Sequence, residues 1–432
     1  MKIRTAKWQI TSRSKIVSDF LARPAFDDAA EDAAREVLAD IRARGDAAVS
    51  FYAKRFDGID LDGVNIRVTE SEIKSATKAV DAAFRRAARE SRRRIATFAK
   101  AGMKKDWTMN TPGGGALGEK FVPYERVGVY VPGGTAPLAS TALMTATLAA
   151  VAGVKEIVGC TPCGSDGTVN PYVLYALHLA GATEIYKVGG IHAIGMMAYG
   201  TQTIEKVQKI VGPGGAYVTA AKRQVYGDVA LDLVAGPSEI AVLADASANA
   251  SHVAMDLLSQ AEHGTGWEKA LLVTSSDELL QAVKTKIVEH TATLGRRQVI
   301  EKVAANGGIM LVKVDDLNDG VELCNRFAPE HLELMVQRPA QCLKKIRCAG
   351  AVFVGAWTPE SAGDFVAGPS HVLPTGGAAA KFAGLTVDDF RRRSSIVNFT
   401  KQDLKETLPV IEAFGRVEGL DAHARSASIR FE

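Results

Sequence analysis

The segment VGVYVPGG, residues 127–134, marks the point at which the sequence begins to alternate between short apolar runs and helical segments. Its alternating valines predict a buried strand, and the Pro-Gly-Gly that follows predicts a tight turn into a helix over Ala139–Val151. Further strands are predicted at 156–160, 184–188, 209–211 and 230–234, with helices at 171–180 and 192–198. This alternation is the signature of a parallel, doubly wound sheet.

The same pattern returns from residue 240 onward. It predicts strands at 240–244, 271–274, 309–314, 332–335 and 351–354, with helices at 248–261, 278–291 and 317–326. Before about residue 120 the sequence is mostly helix and connectors, with helical periodicity over Asp27–Arg44 and Ser71–Ala101. We therefore predict an α/β protein with two Rossmann-like domains, each an incomplete, doubly wound parallel sheet. A helical N-terminal segment and an extended C-terminal tail complete the prediction.

The composition is that of an ordinary globular protein. Of the 432 residues, 47% are hydrophobic and 23% are charged, which is typical of soluble domains. The balance of 52 basic against 49 acidic residues is too even for a nucleic-acid surface,. The N-terminus lacks the apolar core of a secretory signal, and no apolar run is long enough to span a bilayer. Five cysteines, an odd number, favour a reducing compartment,, so we expect a cytoplasmic protein. From the charge balance and the apolar runs we expect no nucleic-acid partner and no membrane partner.

Three glycine-rich turns are candidates for phosphate-binding loops. The only formal GxGxxG, Gly113–Gly118, has no apolar strand before it, so we interpret it as a connector. The turns at 132–134 and 212–215 each follow a predicted strand, where backbone amides could approach a phosphate or a ribose. A tight strand-to-helix turn explains both equally well, so a dinucleotide site stays open on these motifs.

Two polar residues near the end of one predicted helix could begin a metal site. Gln260 and His263 are three residues apart, so they lie on one face of a helix,. An amide oxygen and an imidazole suit zinc or manganese if further ligands come from elsewhere. A solvated helix end explains the same pair, and spacing alone does not separate the two interpretations.

Other polar residues occur where α/β proteins place their sites. Glu330 and His331 are adjacent just before a predicted strand, a position at which we expect an acid–base pair,. Asp364 lies in a predicted glycine-containing loop, His371 in a loop punctuated by proline and glycine, and His423 is unexpected in a free tail. Because each also fits a structural role, the residues alone predict a two-domain α/β protein and leave a metalloenzyme open.

Taken together, seven ordered segments resemble the histidinol dehydrogenase family over essentially the whole chain. They are VGVYVPGGT (127–135), AGPSEIAVLAD (235–245), DLLSQAEHG (256–264), APEHLEL (328–334), ESAGD (360–364), HVLPT (371–375) and EGLDAH (418–423). The resemblance implies a zinc-dependent enzyme that oxidises L-histidinol through L-histidinal to L-histidine with two NAD, the last steps of histidine biosynthesis. It also implies one zinc ion per subunit.

The resemblance assigns roles to particular residues. The family's zinc ligands fall on Gln260, His263, Asp364 and His423, and its catalytic pair on Glu330 and His331. His331 would take the alcohol proton as hydride leaves, and Glu330 would activate the water that hydrates the aldehyde. Zinc would hold the amine and imidazole nitrogens of the substrate. The implied substrate contacts are Ser238, Gln260, His263, His331, Asp364, Glu418 and His423.

The dinucleotide contacts depart from the family's pattern. The family uses a tyrosine, a glutamine and an asparagine. Tyr130 matches the tyrosine, but His192 stands at the glutamine position and Gly215 at the asparagine position. His192 can still donate a hydrogen bond, whereas Gly215 offers only backbone. We therefore expect NAD to bind with altered contacts.

The resemblance also implies how the chain is organised. The predicted parts are an N-terminal arm (1–25), a first α/β domain (26–126 with 237–380) that carries the catalytic and metal residues, a second α/β domain (127–236) on the dinucleotide side, and a C-terminal helical tail (381–432). In this family the tail reaches into the partner subunit. We therefore expect a homodimer with shared active sites.

Two other functions remain as alternatives. A dehydrogenase of another small polyol, such as a sulfopropanediol, would share the catalytic logic, but relatives of that kind lack the intact ESAGD segment. A zinc hydrolase or a non-catalytic homologue draws support only from His192 and Gly215, and the intact Glu330–His331 pair weighs against it. Activity on a panel of alcohols distinguishes the first alternative from a histidinol dehydrogenase. Formation of NADH from any alcohol distinguishes the second alternative from a dehydrogenase.

Overall fold

The structure, a computed structural model, describes residues 1–11, 14–22, 27–62, 65–133, 137–234 and 236–432. The predicted turn residue Gly134 lies outside the described residues, as do Thr135 and Ala235 of the quoted segments. None of the described helices is long and apolar enough to cross a membrane.

The described residues form fourteen strands and seventeen α-helices in an order that is mostly alternating. The strands are β1 (Arg4–Trp8), β2 (Trp107–Asn110), β3 (Ala116–Pro123), β4 (Arg126–Tyr130), β5 (Glu156–Cys160), β6 (Glu184–Tyr186), β7 (Lys209–Val211), β8 (Ala230–Leu231), β9 (Glu239–Ala244), β10 (Lys269–Thr274), β11 (Ile309–Val314), β12 (His331–Met335), β13 (Ala351–Val354) and β14 (Arg391–Asn398). The helices are α1 (Lys15–Leu21), α2 (Asp28–Arg44), α3 (Asp46–Tyr52), α4 (Glu70–Ala79), α5 (Ala82–Gly102), α6 (Ala139–Ala152), α7 (Pro171–Ala180), α8 (Gly190–Tyr199), α9 (Ala216–Gln224), α10 (Ala250–Ala261), α11 (Asp277–Thr291), α12 (Arg297–Ala305), α13 (Leu317–Phe327), α14 (Pro339–Leu343), α15 (Glu360–Phe365), α16 (Lys401–Glu418) and α17 (Asp421–Ser428).

The larger sheet has six parallel strands in the order β1-β11-β10-β9-β12-β13. The chain builds outward from β9 through β10 and β11, then returns to add β12 and β13 on the other side of β9. The strand order therefore reverses between β9 and β12. β1 comes from the predicted N-terminal arm and pairs with β11, so this arm belongs to the larger sheet.

The smaller parallel sheet follows the same plan, with the order β6-β5-β4-β7-β8. Here the reversal falls between β4 and β7. Strands predicted at 156–160, 209–211, 309–314 and 351–354 have the predicted bounds. The prediction of two incomplete, doubly wound parallel sheets is confirmed.

A third sheet was not predicted. β14, β3 and β2 form an antiparallel sheet, so the region before residue 120 is not only helix and connectors, and the C-terminal tail is not only helical. Every residue of β2 is exposed, so no apolar alternation marks it in the sequence. Gly113–Gly115 lies in the turn between β2 and β3, which confirms that the formal GxGxxG is a connector.

The N-terminal helices pack on the smaller sheet. Residues of α2 and α3 share a hydrophobic cluster with α8 and with Tyr130 of β4, and α5 shares one with α6. This packing places α2, α3 and α5 on the smaller sheet, whereas the predicted first domain groups 26–126 with 237–380. The helices have marked ends, for example Asp27, whose carboxylate accepts from two backbone N–H groups at the start of α2,. Such local signals predict a helix but not the sheet on which it packs.

The chain segment after α15 joins the two halves. Val372, Leu385 and Phe390 belong to the same hydrophobic cluster as Val127 and Ile157 of the smaller sheet. This return places the loops that follow β13 beside the first turn of α6, which follows β4. His371 in this segment contacts both Asp364 of α15 and Thr141 of α6.

Candidate active site

Glu330 and His331 lie at the amino edge of the larger sheet, at the point where its strand order reverses. His331 is the first residue of β12, paired with Ile240 of β9 and Ala351 of β13. Ligands of open α/β sheets normally bind beyond the carboxyl ends of the strands. The Glu330–His331 pair therefore does not lie at the edge where open α/β sheets usually bind ligands. The pair lies at the opposite edge because residues before a parallel strand lie at its amino end.

The Glu330 carboxylate is held from the neighbouring strand. Its Oε2 accepts a hydrogen bond from the backbone N–H of Glu239 at 3.0 Å, and both side chains are buried. Burial raises the pKa of Glu330 well above its usual value, although the N–H of Glu239 and the hydroxyl of Ser238 partly oppose this. A carboxyl group with a raised pKa is a stronger base once it is ionised. Ser238, a predicted substrate contact, is therefore adjacent to Glu330.

The His331 imidazole is buried and has one nitrogen without a partner. Burial lowers the pKa of His331 to about 4, even though Asp364 opposes the shift. Its Nε2 has no hydrogen-bond partner among the described residues, and Asp364 Oδ1 is the nearby carboxylate oxygen at 3.8 Å. Because Nδ1 contacts the Gln260 amide at 3.0 Å, Nε2 is the ring atom that remains for a ligand.

Gln260 connects the two imidazoles of the site. It lies near the end of α10 and is fully buried. One end of its amide lies 3.0 Å from His331 Nδ1 and 3.1 Å from Glu360 Oε1, and the other lies 3.3 Å from His263 Nδ1. If the nitrogen faces His331, it donates to Nδ1; if the oxygen faces His331, it accepts from Nδ1–H. The orientation of the amide and the tautomer of His331 are therefore coupled.

A compact set of possible metal ligands lies beside this amide. One ligand atom each from His263, Glu360 and Asp364 lies within 4.8 Å of the others. Glu360 and Asp364 are four residues apart on α15, so both face the same side,. Asp364 therefore lies on a short helix, not in the predicted loop. Gly363 allows this helix to approach β13, because a Cβ there would lie 2.6 Å from the Phe353 ring.

Glu360 was not among the predicted site residues. It is buried, and Glu333 accepts a hydrogen bond from its backbone N–H at 2.8 Å. Burial raises its pKa well above the usual value, and the neighbouring Asp364 and Glu330 raise it further. Its four-residue spacing from Asp364 was visible in the sequence, but a helix was not predicted there. Without the helix, that spacing carried no information about a shared face.

The charges of the cluster fit a divalent cation. Among the described residues, the buried basic side chains are Arg126, Lys187, Lys209 and Lys222, and all four belong to the half built on the smaller sheet. The buried carboxyl groups of Glu330, Glu333 and Glu360 therefore have no buried lysine or arginine among them. Buried carboxylates are stable when a cation or hydrogen bonds compensate their charge. An imidazole and carboxylate oxygens are a ligand set that zinc accepts.

His371 links this cluster to the other half of the protein. Its Nδ1 lies 3.1 Å from the backbone oxygen of Asp364, and its Nε2 lies 3.1 Å from Thr141 Oγ1 at the start of α6. Burial lowers the pKa of His371. α6 follows β4, the strand that carries Tyr130 at its end. His371 therefore connects Asp364 of the cluster to the helix that follows β4 of the smaller sheet.

The three predicted dinucleotide contacts lie around that carboxyl edge. Tyr130 is the last residue of β4, His192 lies in the first turn of α8, and Gly215 precedes α9. The Tyr130 hydroxyl accepts from the backbone N–H of Gly190 at 3.1 Å. Gly212, with φ of 117°, passes so close to Tyr130 that a Cβ would lie 2.1 Å from its carbonyl oxygen. The strand order reverses between β4 and β7, where doubly wound sheets bind nucleotides.

Two predicted residues are not brought to the cluster within one chain. Glu418 and His423 lie on α16 and α17 and are exposed. No hydrogen bond or ion pair joins either side chain to the cluster in the part of the chain that the structure describes. The two helices pack mainly on each other.

Comparison with known proteins gives a consistent result. The family model described as histidinol dehydrogenase matches residues 22–431. A histidinol dehydrogenase from Geobacillus kaustophilus is 45% identical over 397 residues, covering 92% of this chain and 93% of the relative. One from Heliobacterium mobile is 43% identical, covering 98% and 99%. The crystal structure of histidinol dehydrogenase from Elizabethkingia anophelis superposes with a TM-score of 0.93 at 36% identity, covering 99% and 98%.

Proposed function

Because the chain belongs to the histidinol dehydrogenase family, we propose that it oxidises L-histidinol through L-histidinal to L-histidine with two NAD. The observation that carries the proposal is the buried Glu330–His331 pair, whose imidazole lies 3.8 Å from Asp364 of the cluster of possible metal ligands. An alcohol becomes a carboxylate only by gaining an oxygen atom. The site therefore needs a base for the hydroxyl group and a base for water.

His331 is the proposed base for the hydroxyl group. Its Nε2 lacks a protein partner. The contacts of the Gln260 amide are satisfied when its nitrogen donates to His331 Nδ1, and Nε2 becomes a proton acceptor when the amide turns so that its oxygen accepts from Nδ1–H,. Gln260 then acts as the group that selects the tautomer. The low pKa of His331, which results from burial, keeps the imidazole neutral before reaction,.

Glu330 is the proposed base for water in the second oxidation. Its carboxylate is fixed by the Glu239 N–H, so it needs little reorganisation to accept a proton. Burial strengthens it as a base,. Hydration converts the aldehyde into a gem-diol, and the C–H bond of that carbon then supplies the second hydride to NAD.

Gln260, His263 and Asp364 are the proposed zinc ligands within one subunit, and His423 of a second copy is the fourth. When bound, zinc would supply a template for the amine and imidazole nitrogens of the substrate. Ser238, adjacent to Glu330, and Glu418 of the second copy are proposed further substrate contacts. Glu360 lies within the same group of ligand atoms and would balance the charge of the ion.

The exposed tail supports the proposed homodimer with shared active sites. Glu418 and His423 are solvent-exposed in the single chain. Large apolar side chains on the same helices are exposed too, with Val417 at 80% and Phe414 at 62%. Contiguous apolar surface of this kind is typical of a subunit interface. A second copy would cover it and bring the two polar residues to its own cluster.

Tyr130, His192 and Gly215 are the proposed NAD contacts. They lie at the carboxyl edge of the smaller sheet, at its reversal point. Gly215 precedes α9 without a side-chain cap, so the first N–H groups of that helix are available to an anionic group.

The decisive measurement is the number of NADH formed per molecule of L-histidinol consumed, with and without a chelator. We expect two NADH per histidine, with activity lost on chelation and restored by zinc. No NADH from histidinol in a zinc-loaded sample would reject this substrate. A panel of small polyols, including a sulfopropanediol, would then separate a related dehydrogenase from a protein that is not a dehydrogenase.

A further inference from the structure

Asp57 and His192 form a pair at the carboxyl edge of the smaller sheet. His192 Nε2 lies 3.0 Å from Asp57 Oδ2, and His192 is 1% exposed. Asp57 is the last residue of a π-helical turn, Ala53–Asp57, which ends at Gly58 in the left-handed conformation. Such turns are rare and often occur at functional sites. Here the turn brings a carboxylate to a histidine that stands where the family has a glutamine.

The carboxylate determines what the imidazole can bind. An ionised carboxylate only accepts hydrogen bonds, so the proton of the neutral ring is on Nε2. Nδ1 is then a lone-pair acceptor. This atom is buried and has no partner among the described residues. A buried acceptor without a partner costs free energy, and a ligand that donates to it recovers that cost.

Nδ1 lies beside the turn that begins α8. A Cβ built on Gly190 would lie 3.4 Å from His192 Nδ1. The N–H of the same glycine donates to the Tyr130 hydroxyl at 3.1 Å, which leaves the hydroxyl proton of Tyr130 available to another acceptor. A hydrogen-bond acceptor and a hydrogen-bond donor therefore both lie next to Gly190.

We propose that His192 Nδ1 accepts a hydrogen bond from a ribose hydroxyl of the dinucleotide, and that Asp57 is the positioning residue that keeps Nδ1 an acceptor. A ribose carries two adjacent hydroxyl groups, each of which donates and accepts. It therefore complements the acceptor of His192 and the donor of Tyr130 together. The inference rests on the proposed binding of NAD at this edge.

The proposal gives Asp57 a role that depends on the identity of residue 192. A glutamine amide has an acceptor oxygen without any help. A neutral imidazole has one acceptor nitrogen, and which nitrogen it is depends on the partner of the other. Asp57 should therefore matter in this chain and lose its importance if residue 192 is glutamine.

The test is the dissociation constant of NAD, measured by calorimetry on the full-length protein. We expect Asp57→Ala and His192→Ala each to raise it about three- to tenfold, the value of one hydrogen bond. His192→Gln should bind nearly as well as wild type. Adding Asp57→Ala to His192→Gln should change nothing further. Asp60→Ala, which removes a neighbouring exposed aspartate that pairs with Lys54, is the matched control.

Analogues of NAD that each lack one ribose hydroxyl identify the group bound. The analogue that lacks the bound hydroxyl group should bind wild type about three- to tenfold more weakly than NAD does. The same analogue should bind His192→Ala as tightly as NAD does. Nitrogen NMR of wild type should show His192 Nδ1 unprotonated. If wild type binds NAD and both alanine variants bind it equally well, Nδ1 meets only an ordered water and the inference is wrong, while the proposed function stands. If wild type binds no NAD, both fail.

Discussion

Asp364 Oδ1 lies 3.8 Å from His331 Nε2, so the buried imidazole and the metal-ligand cluster share one carboxylate. The other carboxyl group of that cluster, Glu360, lies one helical turn earlier on α15 and 3.5 Å from His331 Nδ1. The carboxylates of α15 thus flank both nitrogens of the ring. Removing either charge should alter the cluster without displacing the helix.

Glu360→Gln should weaken metal binding by about 10- to 100-fold, a loss typical of groups that support metal ligands. The substitution keeps the shape of the side chain and removes its charge. Zinc affinity measured against a competing chelator checks the prediction. Glu289→Gln, which alters an exposed ion pair with Lys286 on α11, is the control. Equal zinc affinity in wild type and Glu360→Gln would exclude Glu360 from the metal site.

Glu330→Gln should slow oxidation of histidinal more than oxidation of histidinol, by a factor of about 10² to 10⁴. The amide can still accept from the Glu239 N–H, but it cannot take a proton from water. Single-turnover rates started separately from the alcohol and the aldehyde measure the two steps. Equal losses in both steps would show that Glu330 does not act on water alone.

Mixing His423→Ala with Glu330→Gln should restore activity if the tail completes the partner's site. Each variant alone lacks a group in both sites of its dimer. After random exchange of subunits, half of the dimers are mixed and one of their two sites is intact, which gives about a quarter of wild-type activity. Activity is measured after unfolding and refolding the mixture. A mixture as inactive as its components would mean that His423 serves its own chain.

Lys222→Met should destabilise the protein by about 3–5 kcal/mol, because it leaves the buried side chain of Asp232 without its charged partner,. The Lys222 ammonium also donates to the Gly212 carbonyl at 2.9 Å, and Asp232 accepts from the Gly212 N–H at 2.7 Å. The pair therefore fixes the turn that follows β7. Denaturant unfolding measures the loss. The double variant Lys222→Met with Asp232→Asn should recover part of it, and a single variant as stable as wild type would contradict the prediction.

Asp403→Asn should lower the melting temperature near neutral pH and have less effect in acid. Burial alone would raise the pKa of Asp403, but N–H groups of Thr400 and Gly113 and the hydroxyl of Thr111 lower it to about 2. Because the folded-state pKa lies below the ordinary value of 3.8, the stabilisation is complete above about pH 4 and disappears as the pH falls toward 2.

Thermal unfolding of wild type and Asp403→Asn across this pH range tests the prediction. The carboxylate accepts from Gly113 and Gly115 in the β2–β3 turn, so the variant should also loosen the attachment of α16. Asp32→Asn, at an exposed pair with Arg35, is the control. A difference in melting temperature that stays constant with pH would contradict the assigned cause.

Much of the fold could be predicted from local pattern. Short apolar runs gave β5, β7, β11 and β13 with their observed bounds, because buried parallel strands are apolar on both faces. β2 and β14 were missed for the converse reason. Almost all of their residues are exposed, and antiparallel pairing with β3 holds them in place through backbone hydrogen bonds that any side chains permit.

The residues of the candidate site could be named from the sequence, but their arrangement could not be. The adjacent Glu330 and His331, and the i,i+3 pair Gln260 and His263, are local features of the sequence. The proximity of these two pairs is not a local feature. Gln260 and His263 follow β9 in the chain, Glu330 and His331 lie at the start of β12, and the distance between these strands depends on strand order. Glu360 was not predicted because a four-residue spacing from Asp364 places two side chains on one face only in a helix. The helix α15 is too short for its periodicity to be recognised in the sequence.

The sequence by itself determined the two doubly wound sheets, most strand and helix positions, the family and the residue types of the candidate site. These follow from periodicity, turn residues and ordered motifs, all of which depend on residues that are close together in the sequence. Tertiary structure alone decided that Glu330 and His331 lie at an amino edge, that residues 28–102 pack on the smaller sheet, and that Asp57 meets His192. Each of these depends on contacts between distant segments, whose geometry is set by the burial of apolar surface of the whole chain and not by any one stretch of it.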